Sequence, residues 1–159
     1  MAGWIVFLHV AAVLGLMLAH GVHTTVMWRF RREPDPERAL AFFQVVPKTT
    51  LMRVLLAGIV LTGVAAGFAR SSWGEGWIWA SLVLLAAITE AMRRWGSGYF
   101  GQIEAAAETA IAARTADPAA SAWQAEYDAA RSSWHPWGMS AIGLVGLLLI
   151  LWLMMFKPF

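Results

Sequence analysis

Four long apolar stretches, separated by polar or proline-broken connections, organise this chain of 159 residues. They run approximately over residues 3–28, 50–69, 76–93 and 137–156. Each is close to the ~20 apolar residues that a helix needs to cross a bilayer. The apolar runs are continuous rather than alternating, which predicts helices and not barrel strands. The expected fold is therefore all-α: a single membrane domain built as a four-transmembrane-helix bundle. The first stretch has no basic leading segment and no small-residue cleavage site, and its helical pattern continues well past 15 residues, so it is expected to be retained as a helix.

The connections carry their own signals. Residues 29–38, Arg-Phe-Arg-Arg-Glu-Pro-Asp-Pro-Glu-Arg, are polar, and a short helix is expected to restart at Pro36 and run through Phe43. Ser71-Ser72-Trp73-Gly74-Glu75-Gly76 is brief, which makes the second and third spans an antiparallel hairpin. The third connection, about 94–135, is the longest. Gly101–Arg114 is Ala-rich, Asp117-Pro118 interrupts it, and 119–133 reads as a second Ala-rich helix. These are expected to be helices lying at the membrane surface. Glu104 and Glu108, one turn apart, read as a solvated face. Gly58, Gly63 and Gly67 in the second span, with Gly143 and Gly146 in the fourth, are expected to let helices approach closely.

Composition agrees with this pattern: 59% of residues are hydrophobic and 14% charged. The formal charge of +2 matters less than its placement. Arg29, Arg31, Arg32, Arg38, Lys48 and Arg53 flank the first connection, and Arg93, Arg94, Arg114 and Arg131 the third, leaving only Arg70 and Lys157 elsewhere. By the positive-inside rule both termini are expected outside and the first and third connections in the cytoplasm. Basic residues so arranged answer to topology, and nucleic acid is not an expected partner; the lipid bilayer is. Most tryptophans fall near span ends, as an aromatic belt requires. The chain contains no cysteine, which excludes disulfides, thiolate metal sites and cysteine-attached haem. No phosphate-binding loop, nucleophile triad or His-Glu-x-x-His motif is present, so the sequence assigns no enzymatic activity.

Chemistry concentrates in three histidines of the first span, His9, His20 and His23. Ionisable groups inside membrane segments usually mark a site. With Trp4 and Trp28 at the two interfaces, His9 lies ~10 Å to the outer side of the midplane and His20 and His23 ~6 and ~10 Å to the inner side. His9 and His23 are separated by ~21 Å and point within ~40° of each other, a spacing that two stacked haems would need. A second axial ligand must then come from another helix. His135, at the start of the fourth span, is the candidate on the inner side, and Met154 and Met155 are the soft candidates on the outer side. A second constellation joins His20 and His23 to Glu90 in the third span, at comparable depth: two imidazoles and a carboxylate, a ligand set for a divalent metal. The alternative is a buried Arg53–Glu90 ion pair with the histidines as hydrogen-bonding neighbours.

Three segments carry a family resemblance: Phe7-Leu8-His9-Val10-Ala11-Ala12, then Leu51-Met52-Arg53-Val54 with Leu61-Thr62-Gly63, then the closing Leu153-Met154-Met155-Phe156-Lys157-Pro158-Phe159. In these the chain resembles a loose group of small bacterial membrane proteins: the HemJ-type protoporphyrinogen oxidases, the copper-resistance CopD domains and, closest, an uncharacterised branch of integral membrane proteins. The resemblance implies that His9 corresponds to a haem ligand and that the protein resides in the bacterial inner membrane. Val13-Leu14-Gly15 stands where the HemJ type has Trp-x-Gly.

Three functional expectations follow. The first is binding of haem b or a metal ion through His9, with His20, His23, Glu90 and His135 as further ligands, in electron transfer or cofactor handling. The second is a non-catalytic accessory subunit of a larger respiratory or photosynthetic complex, or a homo-oligomer. The third is a copper permease using His9 with Met154 and Met155.

Overall fold

The computed structural model describes residues 2–47, 49–96, 98–117 and 122–159. Seven helices make up the fold among the described residues: α1 (Ala2–Arg32), α2 (Pro36–Phe43), α3 (Thr49–Ala69), α4 (Gly76–Gly96), α5 (Tyr99–Ala116), α6 (Ala122–Ser132) and α7 (His135–Phe156). No strand occurs among the described residues. Among the described residues four helical stretches are long and apolar enough to cross a membrane; they contain α1, α3, α4 and α7. The chain is thus a multi-pass membrane protein in its make-up, and large side chains such as Leu18, Leu61, Val83 and Met155 stand exposed on its flanks as lipid contact demands.

The ends of the helices follow local rules. Asp35 caps α2 by accepting from the Glu37 amide, and Pro36 occupies the first turn, where its missing N–H costs nothing. Arg29, Arg31 and Arg32 crowd the last turn of α1, where the helix dipole favours cations. Between α3 and α4, Ser71 adopts a left-handed φ of 52° and the Ser72 amide bonds back to the Gly67 carbonyl at 3.1 Å. Gly67 itself sits against the face of Trp73, where an added Cβ would lie 3.0 Å from the indole ring. Lys157 ends α7 in the left-handed region, which folds the last residues back so that the Phe159 carbonyl accepts from the Trp77 amide at 3.1 Å.

The spanning helices pack as two antiparallel pairs. α1 lies along α3 and α4 along α7; the pairs meet where α1 crosses the first half of α7, and α3 makes little contact with either helix of the other pair. The expected four-helix bundle is therefore two antiparallel pairs joined at one end, and the hairpin expected of the second and third spans does not form, because α3 and α4 each pack along a different partner.

That end is where the buried core lies. Met27 and Phe30 of α1, Ala39 of α2, Tyr99, Ile103, Ala107 and Ala110 of α5, Tyr127 of α6 and Met139 of α7 form one buried cluster. At ~1.5 Å per residue, the 31 residues of α1 extend ~46 Å, well beyond a ~30 Å hydrocarbon layer. Its last turns serve as the post around which α2, α5 and α6 wrap. The long third connection forms a packed cap, because the alanines of α5 admit α2 and α6 at close range. Polar links lock the cap: the Glu33 carbonyl accepts from Tyr127 Oη and from Arg131, each at 3.0 Å, and Arg31 donates to the Ser132 and Ser133 carbonyls. Arg114 on α5 reaches Asp35 at 3.2 Å and Glu37 at 2.6 Å, tying α5 to the cap of α2.

Candidate functional site

The four histidines take part in four different helix junctions. His9 faces α3. Its Nδ1 lies 3.0 Å from the Ile59 carbonyl and 3.1 Å from Thr62 Oγ1. A carbonyl only accepts, so Nδ1 carries the proton, and in the neutral ring Nε2 holds the lone pair. Thr62 in turn donates to the Gly58 carbonyl at 2.5 Å. Gly63 supplies the room: a Cβ there would stand 3.2 Å from His9 Cε1. The Thr62-Gly63 pair noted in the sequence is thus the seat of His9.

His20 is directed at α7. A Cβ on Gly143 would overlap its Nε2 and lie 2.8 Å from its Cε1, so only glycine lets the imidazole approach the α7 backbone so closely. His23 donates from Nδ1 to the Ala19 carbonyl one turn back, at 2.9 Å, and meets the Phe100 ring of α5 edge-on at 5.1 Å. His135 shares a 2.7 Å hydrogen bond between Nδ1 and Ser133 Oγ and stacks on Tyr99, with ring centroids 5.0 Å apart and planes inclined by 11°. His23 and His135 therefore engage neighbouring residues of α5 without contacting each other.

Glu90 and Arg53 depart from expectation. The Glu90 carboxylate is clasped within its own helix by Arg93, through two bonds of 2.7 Å, and by Arg94 at 2.6 Å. Arg53 is exposed on α3 and makes no ion pair among the described residues. The expected buried Arg53–Glu90 pair does not form. The two side chains have similar heights along the bundle, but height says nothing about direction, and α3 and α4 belong to different helix pairs. For the same reason Glu90 does not join His20 and His23. Among the described residues no group of three or more His, Asp or Glu side chains is placed to hold a metal ion. Met154 and Met155 lie on α7, which packs along α4, whereas His9 is turned towards α3.

Sequence reading had no signal for several residues that organise this region. The Ile59 carbonyl, Tyr127, and the Arg114–Asp35–Glu37 group act across junctions that local pattern does not encode. In the cap, burial pushes the Tyr127 phenol up to about 12 and moves the Tyr99 phenol upward as well, while hydrogen bonding to Asp35 raises Arg114. These groups serve packing. Comparison with family models, with curated proteins and with solved structures finds no match for the chain.

Proposed function

We propose that this chain is a non-catalytic subunit that packs its spanning helices against a larger membrane complex, with the cap on the cytoplasmic side and both termini outside. One observation carries the reading: each histidine is engaged at its own helix junction, joining α1 to α3, α1 to α7, α1 to α5, and α7 to α5. Imidazoles used in this way are helix-packing groups: His9 adds an interhelical hydrogen bond, a usual adhesive in membranes, and the other three meet the partner helix through their rings. The loose meeting of the two helix pairs leaves long apolar flanks for neighbouring helices.

The test is gentle extraction of native membranes, followed by native electrophoresis, absorption spectroscopy and metal analysis of the same band. A colourless chain running within an assembly much larger than 17.4 kDa agrees with the proposal. A chain that runs alone, or that carries stoichiometric haem, overturns it.

A second reading is favoured by the geometry of His9. Fixing Nδ1–H on a backbone carbonyl is how proteins commonly orient a histidine whose Nε2 binds a metal. In this reading His9 ligates haem b, copper or another divalent metal, and the chain handles that cofactor or passes electrons. A Soret band lost in His9→Ala supports it, as does copper lost in the same variant. Absence of both pigment and metal from protein purified out of its native membrane removes it.

A further inference from the structure

Arg53 occupies an unusual position. Contacts between α1 and α3 pair His9 with Gly63, Ala12 with Gly58 and Gly15 with Leu55. Continuing this antiparallel register places Arg53 beside Met17 and Leu18. Arg53 is the fifth residue of α3, ~6 Å inside the cap-side end of that span and level with the arginine-rich end of α4. It is exposed there, on the outer surface of the α1–α3 pair, with no described hydrogen bond or ion pair. A guanidinium just inside the apolar span is within reach of the headgroup layer and is costly there unless an anion meets it.

The surroundings say which. Thr49 and Thr50, four and three residues before Arg53, are exposed on the same face and add two hydroxyls. In the other direction Ala57, Val60 and Leu61 continue the stripe, all exposed and apolar. The face is thus cationic and hydroxylic at one end and greasy along the rest, the profile of a phospholipid lying parallel to the helix. Among the described residues no carboxylate pairs with Arg53: the one at similar height, Glu90, is already shared by two arginines, and that trio is itself net positive.

We infer that the Thr49–Thr50–Arg53 face of α3 seats an anionic phospholipid. Its phosphate is gripped by the planar guanidinium, and one acyl chain runs down Ala57, Val60 and Leu61. Bidentate phosphate recognition suits arginine better than lysine, whose ammonium acts as a point charge.

Native mass spectrometry of the delipidated full chain in detergent, titrated with phosphatidylglycerol or phosphatidylcholine, tests this. The wild type is expected to retain phosphatidylglycerol preferentially. Arg53→Gln should weaken that retention by about tenfold, the loss of one charge-assisted contact, and Arg53→Lys should fall between. Arg32→Gln, which removes the same charge from the exposed cap end of α1, should leave it intact. Equal binding of both lipids, or an equal loss in Arg32→Gln, overturns the inference. So does displacement of the lipid by millimolar inorganic phosphate, which would reveal a simple anion site. A dimer that Arg53→Gln dissolves would assign the face to a second copy instead. Should Arg53→Gln fail to fold, Arg53→Lys carries the comparison: full wild-type selectivity in that variant would refute bidentate recognition.

Discussion

Replacing Gly143 by alanine should force α7 away from α1. The added methyl would overlap His20 Nε2 and stand 2.8 Å from Cε1 and 3.1 Å from Cδ2. Three contacts of that kind from one rigid ring cannot be relieved by bending a flexible chain end. Either the imidazole rotates out of its position or the two helix pairs separate where they meet. Overpacking of this sort costs about 1–3 kcal/mol. His20→Ala alone should cost on the order of 1 kcal/mol, through lost packing at a half-buried site. The informative variant is the double one. With the ring gone, the new methyl fits, so His20→Ala/Gly143→Ala should be less destabilised than the two single costs predict, by about 1–2 kcal/mol. Reversible unfolding in mixed micelles, followed by tryptophan fluorescence, measures all three. Gly21→Ala provides the control: a methyl added there meets no atom within 4 Å, and the better helix propensity of alanine should make it neutral or stabilising by up to about 1 kcal/mol. A Gly143→Ala protein as stable as wild type, or additive effects in the double variant, would refute the reasoning.

Gly146→Ala should also cost about 1–3 kcal/mol in the same assay, because its methyl would overlap both Cδ1 and Cγ1 of Ile88 and a β-branched side chain in a helix has little χ1 freedom to move aside; a neutral variant would contradict the close approach of α4 and α7. Both tyrosines of the chain have raised phenol pKa values, Tyr127 to about 12, so absorbance at 295 nm should show little tyrosinate at pH 10 and a late rise only above it. The sign for stability follows: the folded cap holds its phenolic protons more tightly than the unfolded chain. This contribution is complete below pH 10 and is lost as pH rises towards 12. A normal tyrosine titration in the folded protein would contradict the burial described. Tyr127→Phe should cost about 1 kcal/mol, because Arg131 still satisfies the Glu33 carbonyl; a loss several times larger would mean that the phenol carries more of the cap than its one bond suggests. Arg114→Gln should speed amide hydrogen exchange across α2 while leaving α3 unchanged, and high salt should produce the same change in the wild type; uniform exchange in both helices would refute the tie.

Much of the architecture was legible in the order of residues. Continuous apolar runs located the four spanning helices, and Pro36 behind Asp35 located the start of α2. The Asp117-Pro118 interruption fell where α5 ends, at Ala116, although Pro118 lies outside the described residues. These signals are local. What could not be read was azimuth. Depth arithmetic brought Arg53, Glu90 and His20 to similar heights, yet a height is a ring around the bundle, and the choice of α1 with α3 and α4 with α7 decides which arc each residue occupies. The cap was hidden for a related reason. The alanines at 107 and 110 look like helix formers in isolation, and only the closeness of α2 and α6 reveals them as contact points. The expected Lys48 contribution to the basic flank also lies outside the described residues.

The pairing of helices has a consequence for synthesis. α1 and α3 are joined by a short segment, so the first pair can close once about 70 residues have left the ribosome, at a few seconds of elongation. α4 has no such neighbour at hand. Its partner begins at His135, and until then α4 must wait in the bilayer or beside an insertion factor, while the segment that becomes α5 and α6 accumulates in water. The cap gathers residues from Met27 to Met139, so it can close only when the last helix arrives. A chain stalled before residue 135 would therefore expose both a lone apolar helix and an unclosed cap, so the arrival of α7 completes both at once.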